Sequence, residues 1–425
     1  MKSYLKLSKE EKKAELETLY GMLEKEKAKG YKLDMSRGKP APDQLDMSME
    51  MLSLAPETMI RSRKGTDARN YGELAGLDEA KELFADILGL SSDNIIVGGQ
   101  SSLNLMYDCI IRAFVFGVFG GSRPWGQQGK IKFLCPVPGY DRHFRITEEF
   151  GIEMINIPMS PEGPDMGLVK KFVENDAAVK GIWCVPKYSN PQGYTYSAET
   201  VKAFAALKPA ADDFRIFWDN AYIVHSFREE DDELLNIFDA CAEYGSEDMV
   251  YEFMSTSKVT FPGAGVAVIA ASENNVKFIL KQMGVQTIGF DKVNQLRHVN
   301  YLKNAEGIKA HMKAMAEVMR PKFDCVIDTL SEGLNGLEIG KWTNPNGGYF
   351  ICFEGLPGTA KRCVSLCGEA GVKLTGAGAP FPYGKDPADS TIRIAPSFPT
   401  VEQLQNSMKI FCICQRIAAL ETLIS

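Results

Sequence analysis

Short apolar runs alternate with amphipathic helical patterns between about residues 75 and 275, and this alternation restricts the chain to few folds. Seven such runs follow one another: NIIV, IKFLCP, EMINIPM, GIWCVP, RIFWD, MVYEFM and GVAVIAA. Their length and their Val, Ile and Phe content are typical of buried β-strands. Helical segments separate them, such as GLDEAKELFADILGL with Leu77, Leu83 and Ile87 at helical spacing. The alternation predicts a mostly parallel sheet that is covered by helices on both faces.

The rest of the chain predicts a second, smaller unit. A long helical stretch begins near residue 300, and the last hundred or so residues carry short strand signals, GGYFICF and STIRIAP, together with helices. We predict an α/β fold in which residues 51–310 form a large domain with a mostly parallel seven-stranded sheet. Residues 1–50 and 311–425 are predicted to form a smaller α+β domain with an N-terminal arm.

Composition narrows the class of protein. The 425 residues carry a net charge of -7, which argues against a general nucleic-acid binder. The N-terminus lacks the apolar core of a signal peptide, and no apolar run reaches the roughly 20 residues that span a bilayer. The ten cysteines include no CxxC pair and the four histidines are scattered, so no metal site is predicted. We expect buried, reduced thiols and a cytoplasmic protein.

The segment after the first apolar run is suited to bind an anion. NIIV is followed by Gly98, Gly99, Gln100, Ser101 and Ser102, which open a helix. Glycines allow backbone N–H groups to approach a ligand, and a helix N-terminus carries partial positive charge. The alternative is a tight turn in which a serine caps the helix. In an open parallel sheet, ligands bind outside the carboxyl ends of the strands, so further ligand-binding residues are expected directly after the next runs.

Each of the later runs is also followed by a chemically distinctive residue. Tyr140 follows FLC after a proline turn, and Asn190 follows IWCVP in an Asn-Pro turn. Asp219 follows RIFW and precedes Tyr222, and Lys258 follows MVYEFM among small hydroxyl residues. Each taken alone has an ordinary interpretation as a loop or capping residue. Together they provide an aromatic lid, an amide, a carboxylate and a lysine, which is the set that pyridoxal 5'-phosphate requires.

The order and spacing of these motifs resemble a known enzyme family. SRGKP, SNPQG, DNAY, STSK and IRIAPSFP extend from near residue 36 to near residue 399, with 29 residues from Asn190 to Asp219 and 39 from Asp219 to Lys258. The chain is similar to the fold-type I pyridoxal-phosphate-dependent aminotransferases of class I/II. PGYDRHF, FWDNAY and TSKVTFPGAGVA resemble the subgroup of MocR-like aspartate aminotransferases.

The resemblance implies roles for the residues around the cofactor ring. Lys258 matches the Schiff-base lysine, which after its release acts as the general base. Asp219 matches the carboxylate that keeps the ring nitrogen protonated. Asn190 and Tyr222 match the pair that hydrogen-bonds the phenolic oxygen of the ring, and Tyr140 matches the aromatic residue that stacks on it.

The resemblance also implies a phosphate site and a homodimer. Tyr71 matches a tyrosine that reaches the phosphate from the neighbouring subunit, so the two active sites would be shared. Relatives carry an arginine eight residues after the Schiff-base lysine, where this chain has Val266; Arg37 and Arg69 are candidates to replace it. The remaining residues that match the phosphate cradle are Gly99, Gln100, Ser101, Ser255 and Ser257.

For the substrate, Arg393 matches the arginine that holds the α-carboxylate, with Gly38 and Asn190 beside it. The planar guanidinium suits a bidentate carboxylate, which a lysine could not copy. The subgroup resemblance implies transfer of an amino group from aspartate to 2-oxoglutarate, giving oxaloacetate and glutamate. A dicarboxylic substrate requires a second cation, since a desolvated carboxylate without a partner would cost several kcal/mol. The candidates near the motif loops are Arg37, Arg142 and Lys187.

Three other functions agree with parts of the sequence. One is an aminotransferase specific for aromatic amino acids or 2-aminoadipate. Another is a lyase, because PGYDR is similar to a turn in aminocyclopropane-carboxylate synthases. The third is a transcription regulator with an aminotransferase-like domain, but only about 35 residues precede SRGKP and none of them resembles a basic recognition helix.

Overall fold

The computed structural model describes residues 2–425 and contains the predicted alternation of helices and strands. The α-helices within these residues are α1 (Lys9–Lys27), α2 (Pro42–Asp46), α3 (Asp78–Leu88), α4 (Ser102–Phe116), α5 (Asp141–Glu149), α6 (Met166–Asn175), α7 (Ala198–Ala205), α8 (Ile237–Ala242), α9 (Glu273–Gln286), α10 (Lys292–Leu302), α11 (Ala305–Leu334), α12 (Ala360–Glu369) and α13 (Val401–Ile424). The β-strands are β1 (Leu33–Asp34), β2 (Ile95–Val97), β3 (Lys132–Val137), β4 (Glu153–Ser160), β5 (Gly163–Pro164), β6 (Val179–Cys184), β7 (Arg215–Asp219), β8 (Val250–Ser255), β9 (Ala267–Ala271), β10 (Gly340–Trp342), β11 (Ile351–Gly355), β12 (Val372–Lys373) and β13 (Thr391–Ile394).

The central sheet has the strand order β2-β9-β8-β7-β6-β3-β4-β5. β3, β4, β6, β7 and β8 pair in parallel, whereas β9 runs antiparallel to both of its neighbours. Seven of the strands coincide with the seven apolar runs of the sequence. The eighth, β5, is a two-residue edge strand that folds back on the end of β4 and leaves no apolar signal of its own. The α/β class is confirmed, with an eight-stranded rather than a seven-stranded sheet.

Alternate residues of the central strands pack into two separate apolar clusters. In β7, Ile216 and Trp218 belong to one cluster and Phe217 belongs to the other. Successive side chains of a strand point to opposite faces of a sheet, so both faces are covered. Every residue of β6 and β8 is buried, as this arrangement requires. Burial on both faces explains why these strands appear in the sequence as continuous apolar runs.

The helical stretch near residue 300 is two helices rather than one. α10 ends at Leu302, and Lys303 takes a left-handed backbone conformation with φ 66°. Asn304 then caps α11 by accepting a hydrogen bond from the Gly307 N–H at 2.9 Å. A side chain at Gly307 would collide with the Leu302 carbonyl, because its Cβ would lie 2.0 Å from that oxygen. The periodicity continues across this break, so it conceals the turn.

The two ends of the chain pack together beside the smaller sheets. β10, β11 and β13 form an antiparallel sheet, and β1 pairs in parallel with β12. The charged N-terminal segment forms α1 and packs on α13, with Leu19 and Leu23 fully buried. The Arg416 Nε donates to the Tyr4 hydroxyl at 2.8 Å across the same contact. The division of the chain at residues 50 and 310 stays a prediction.

Two further features of the chain bear on the sequence predictions. All ten cysteines are free thiols, and nine of them are buried, in agreement with the expectation from their spacing. No helix within residues 2–425 combines the length and apolar character that crossing a membrane requires.

A carboxyl group lies buried in the middle of the sheet. Glu252 of β8 is 4% exposed, and its Oε1 accepts a hydrogen bond from the Asn220 Nδ2 at 2.7 Å. Burial raises the pKa of Glu252 to about 7, and the hydrogen bond from Asn220 opposes this increase. The group is therefore protonated in the folded protein at pH values where it would be ionised in the unfolded chain.

We predict that Glu252→Gln removes a pH-dependent loss of stability. A carboxyl whose folded pKa is raised stabilises the fold below its unfolded pKa, and this contribution is lost as the pH rises through the folded value. Between pH 4.5 and 7 the wild type should therefore lose about 3 kcal/mol of unfolding free energy relative to the variant. Urea unfolding from pH 4 to pH 8 measures the difference. Glu273→Gln, on the exposed start of α9, is the control, and parallel pH profiles for wild type and Glu252→Gln would contradict the prediction.

Candidate active site

Most of the predicted site residues line one cavity of about 320 Å³ at the carboxyl ends of the sheet strands. It lies beside the ends of β7 and β8 and the start of α4, as expected for an open parallel sheet. Ten of the predicted residues line it: Gly38, Gln100, Ser101, Tyr140, Asn190, Asp219, Tyr222, Ser255, Ser257 and Lys258. Of the other three, Gly99 precedes the lining residue Gln100, Arg393 contacts the lining residue Asn190, and Tyr71 lies outside.

Lys258 is positioned by a short turn. It ends the 3-10 turn Thr256–Lys258, which follows β8 directly. Its Nζ lies 4.9 Å from the centre of the Tyr222 ring and 5.9 Å from that of Tyr349. Burial lowers the pKa of Lys258, and the carboxylate of Asp219 partly opposes the decrease. A lysine in this environment is more readily available as a neutral amine, which is the form that attacks a carbonyl group and accepts protons.

Asp219 is the last residue of β7, and only one of its two carboxylate oxygens has a hydrogen-bond partner among the described residues. Its Oδ2 lies 2.9 Å from the His143 Nε2, and the side chain is 4% exposed. The Oδ1 is buried and has no hydrogen-bond partner within residues 2–425. A buried carboxylate oxygen without a donor is costly, so this atom is suited to accept a hydrogen bond from a cationic or N–H group of a ligand.

His143 is a site residue that the sequence analysis missed. Its ring stacks on Trp183 with the centroids 4.5 Å apart and meets Tyr140 edge-on at 4.9 Å. The Trp183 indole N–H in turn donates to the Thr147 hydroxyl at 2.8 Å. The imidazole is therefore held in one orientation with its Nε2 on the carboxylate of Asp219. The one available signal was its place three residues after Tyr140 in PGYDRHF, on the inner face of α5.

The anion end of the cavity is built from hydroxyl groups and a helix N-terminus. Ser101 caps α4, a helix of 15 residues, by accepting from the Leu103 N–H at 3.3 Å. Ser255 donates to the Ser257 hydroxyl at 3.1 Å, and Ser257 lies 3.3 Å from the carbonyl of Gln100. These groups and the partial charge of the helix suit a phosphate.

Val266, which stands where relatives carry the phosphate-binding arginine, is part of the packed core. Val266 is 3% exposed and its N–H donates to the Thr256 hydroxyl at 2.9 Å. Arg69 is exposed and pairs with Asp67 at 2.6 Å. Among residues 2–425, Lys258 is the one lysine or arginine that lines the cavity. The replacement of the phosphate arginine by Arg37 or Arg69 stays a hypothesis.

The opposite end of the site is suited to a carboxylate. Arg393 of β13 is 6% exposed, and its Nη1 donates to the Asn190 Oδ1 at 3.3 Å. Gly38 is required here by close packing, because a Cβ at this position would lie 2.4 Å from the Phe350 ring. Tyr222 packs against the rest of the site, and burial raises its pKa well above the usual value, so its hydroxyl stays protonated.

The other three histidines surround the turn that carries Lys258. The His225 Nε2 lies 3.3 Å from the carbonyl oxygen of Lys258, and the His311 Nε2 lies 2.7 Å from that of Val259. The His298 Nδ1 donates to the Asn294 carbonyl at 2.8 Å, so its Nε2 accepts from the hydroxyls of Thr256 and Thr260. Burial lowers the pKa of His225 to about 3 and that of His298 to about 4. These neutral rings fix the backbone of the turn.

The histidines do not form a metal site. No cluster of metal-ligating side chains occurs in the part of the chain that the structure describes. Scattered in sequence, the four histidines are nevertheless gathered around two site residues, Asp219 and Lys258. Their spacing alone gave no indication of this arrangement.

Two residues that the sequence analysis proposed for the site do not face the cavity of their own chain. Lys187 is 5% exposed, and its Nζ pairs with Asp231 at 2.8 Å, so it is not a free cation for a substrate. Tyr71 is 80% exposed and reaches no part of the cavity of its own chain. Arg37 and Arg142 are exposed and form no ion pair among residues 2–425.

The donor set of the cavity fits pyridoxal 5'-phosphate. The cofactor has an aldehyde, a protonatable ring nitrogen and a phosphate. The cavity offers an amine of lowered pKa at Lys258 and a buried carboxylate oxygen without a donor at Asp219. At the anion end it offers the hydroxyls of Ser255 and Ser257 and the N-terminus of α4. Each reactive part of the cofactor has a matching group.

Comparison with known proteins gives consistent similarities. The profile of the aspartate amino-transferase family matches residues 7–425. An aspartate aminotransferase of Corynebacterium glutamicum is 43% identical over 395 residues, which cover 93% of this chain and 91% of that protein. The crystal structure of an aspartate transaminase from the same organism superposes with a TM-score of 0.96 and 41% identity, and covers 99% of both chains.

A more distant structure shares the fold. The α-aminoadipate aminotransferase of Thermus thermophilus, solved in complex with N-(5'-phosphopyridoxyl)-L-leucine, has a TM-score of 0.73 and 20% identity, and covers 94% of this chain and 95% of that one. At this level of identity the similarity concerns the fold alone.

Proposed function

The chain belongs to the aspartate aminotransferase family, and on this premise we propose that it transfers the amino group of aspartate to 2-oxoglutarate. The observation that carries this proposal is that Lys258 and Asp219 line one cavity and that Arg393 contacts Asn190 in its lining. An amine of lowered pKa, a buried carboxylate oxygen without a donor and a buried guanidinium are the groups that amino-group transfer on a pyridine cofactor requires.

When bound, pyridoxal 5'-phosphate supplies a carbonyl that captures an amine and a ring that withdraws electrons from the substrate Cα. The protein residues have five tasks around it. Lys258 holds the cofactor in the resting enzyme and moves a proton from the substrate Cα. Asp219 keeps the ring nitrogen protonated, while Asn190 and Tyr222 bind its phenolic oxygen. Tyr140 covers the ring.

A dicarboxylic substrate requires two cationic groups. Arg393 is proposed to bind the α-carboxylate, since its guanidinium is buried and lies 4.9 Å from the Phe350 ring, which holds it in place. The ion pair with Asp231 removes Lys187 from the candidates for the second group. Arg37 stays a candidate, because its neighbour Gly38 lines the cavity. Arg142, beside Asp141, is the other.

The experiment that tests the function is an absorbance titration of the cofactor-loaded protein. Aspartate, glutamate, alanine, phenylalanine and 2-aminoadipate are added separately, followed by 2-oxoglutarate. Loss of the cofactor band with aspartate and its return with 2-oxoglutarate are expected. A response to phenylalanine or 2-aminoadipate but not to aspartate would favour the other substrate class. Consumption of the amino acid without any reversal by an oxo acid would favour a lyase.

We also propose a homodimer with shared active sites. The exposed apolar side chains of Tyr71, Val285 and Ile288 lie on two segments that touch, because the Lys292 Nζ donates to the Gly72 carbonyl at 3.1 Å. Phe290, two residues after Ile288, is half-buried beside the anion end of the cavity, since a Cβ at Gly99 would lie 3.8 Å from its ring. An exposed apolar patch beside the site suits a contact with a second copy, which would bring Tyr71 to the partner's cofactor.

The shared sites predict complementation between two inactive variants. Lys258→Ala and Tyr71→Ala homodimers are each expected to be strongly impaired. When they are mixed, dissociated and reassociated, hybrid dimers contain one site with both residues intact. About a quarter of the wild-type activity should return, because half of the dimers are hybrids and each has one working site. Recovery no greater than the sum of the separate variants would show that Tyr71 serves the site of its own chain.

A further inference from the structure

The guanidinium of Arg393 already holds a carboxylate from its own chain. Its Nη1 donates to the Asp141 Oδ1 at 2.7 Å, a short charge-assisted contact. The other bonds to this guanidinium are weaker: 3.3 Å to the Asn190 Oδ1 and 3.5 Å to the Thr375 hydroxyl. Its Nε is buried without a partner within residues 2–425. Asp141 is therefore the one negative charge paired with Arg393 in the described chain.

The two members of this ion pair differ in their freedom to move. The side chain of Arg393 is 7% exposed, lies in the middle of β13 and packs on Phe350. The side chain of Asp141 is 34% exposed and belongs to the first residue of α5. If the pair opens, the carboxylate of Asp141 moves and the guanidinium stays.

Asp141 also has a favourable alternative position. It lies in the first turn of α5, a helix of nine residues, and Tyr140, the residue before it, provides no side-chain cap. A carboxylate at a helix N-terminus interacts favourably with the unpaired N–H groups and the macrodipole. When the pair opens, the helix N-terminus therefore partly replaces Arg393 as the partner of Asp141. Arg393 has no such replacement among the described residues, and a buried cation requires another carboxylate.

We propose that Asp141 is a resident counter-ion of Arg393 that the substrate α-carboxylate displaces, and that it sets the affinity for every carboxylate ligand of the site. The inference rests on the proposed function, because it takes Arg393 as the substrate-binding arginine. Asp141 stabilises the empty site, and each substrate or product competes with it. Binding of amino acids and of oxo acids is therefore weakened to a similar extent, and products are released faster.

The test compares Asp141→Asn with the wild type. The amide keeps the size of the side chain but is a much weaker partner for the guanidinium. Succinate, a dicarboxylate without an amino group, is titrated into the cofactor-loaded enzyme and followed by the absorbance of the cofactor. We expect its dissociation constant, and the KM values for aspartate and 2-oxoglutarate, to fall together by about ten-fold. Asp141→Ser, which also removes the charge and keeps a short polar side chain at the start of α5, should give the same direction of change.

Glu149→Gln is the matched control. Glu149 lies at the other end of α5, pairs with the exposed Arg145 and does not contact Arg393. Its replacement by glutamine alters the net charge by the same amount as the Asp141 substitutions. It should leave all three constants unchanged. Unchanged or increased constants in both Asp141 variants, with native circular dichroism, would overturn the inference and show that Asp141 stays bound and orients Arg393. Failure of the wild type to use aspartate would instead overturn the proposed function, so the two outcomes are distinguishable.

Discussion

Replacement of Lys258 by alanine is expected to lower the rate of amino-group transfer by at least about 10⁴-fold. Removal of a general base alone lowers rates by about 10²–10⁴-fold, and Lys258 is also proposed to hold the cofactor covalently. No substitute is available nearby, because Lys258 is the one lysine or arginine lining the cavity among the described residues. Its lowered pKa, caused by burial, explains why a lysine can act as a base here.

The measurement is the single-turnover rate with aspartate, together with borohydride fixation of the cofactor. Wild-type protein should retain a borohydride-fixed cofactor on the peptide that contains residue 258, and the variant should not. Small primary amines such as methylamine should restore part of the rate, since they replace the missing base. Lys277→Ala on the exposed face of α9 is the control. A variant with more than about one hundredth of the wild-type rate would refute the assignment of Lys258 as the general base.

Asp219→Asn is expected to reduce activity by about 10³-fold without reducing the stability of the cofactor-free protein. The expected loss of activity follows from the loss of the charge that keeps the ring nitrogen protonated. Stability should be maintained, because a buried carboxylate oxygen without a donor is itself unfavourable, and the substitution removes its charge. Most substitutions of buried residues lower stability and activity together, so the opposite behaviour is diagnostic.

Thermal unfolding of the cofactor-free protein and steady-state kinetics of the loaded enzyme measure the two effects. Asp219→Glu, which keeps the negative charge, should retain more activity than Asp219→Asn. If Asp219→Asn unfolds at a much lower temperature, the carboxylate mainly serves the fold through His143, and the assignment to the ring nitrogen is wrong.

Seven of the eight sheet strands and most of the cavity residues could be predicted from the sequence for one physical reason. Strands buried on both faces appear in the sequence as continuous apolar runs. The residues that follow such a run lie at the carboxyl end of the strand, where ligands bind. Asp219 and Lys258 were found in this way. β5 was missed because two residues at an edge carry no apolar pattern. The turn at Lys303 was missed because helical periodicity continues through it.

The supporting contacts of the site were not accessible in the same way. His143 meets Asp219 across 76 positions of sequence, and Asp141 meets Arg393 across 252. Such pairs depend on how strands and helices from distant segments are placed, and no local pattern records that. The proposed role of Tyr71 came from the family resemblance alone, since the structure of one chain leaves this residue exposed.

The packing of α1 on α13 has a consequence for how the protein is made. α1 leaves the ribosome long before α13, so the apolar face of Leu19 and Leu23 lacks this partner while the residues between the two helices are translated. The sheet can assemble earlier, because all its strands lie between Ile95 and Ala271. A nascent chain that stalls before residue 401 would therefore present α1 uncovered, and chaperones and proteases can act on it.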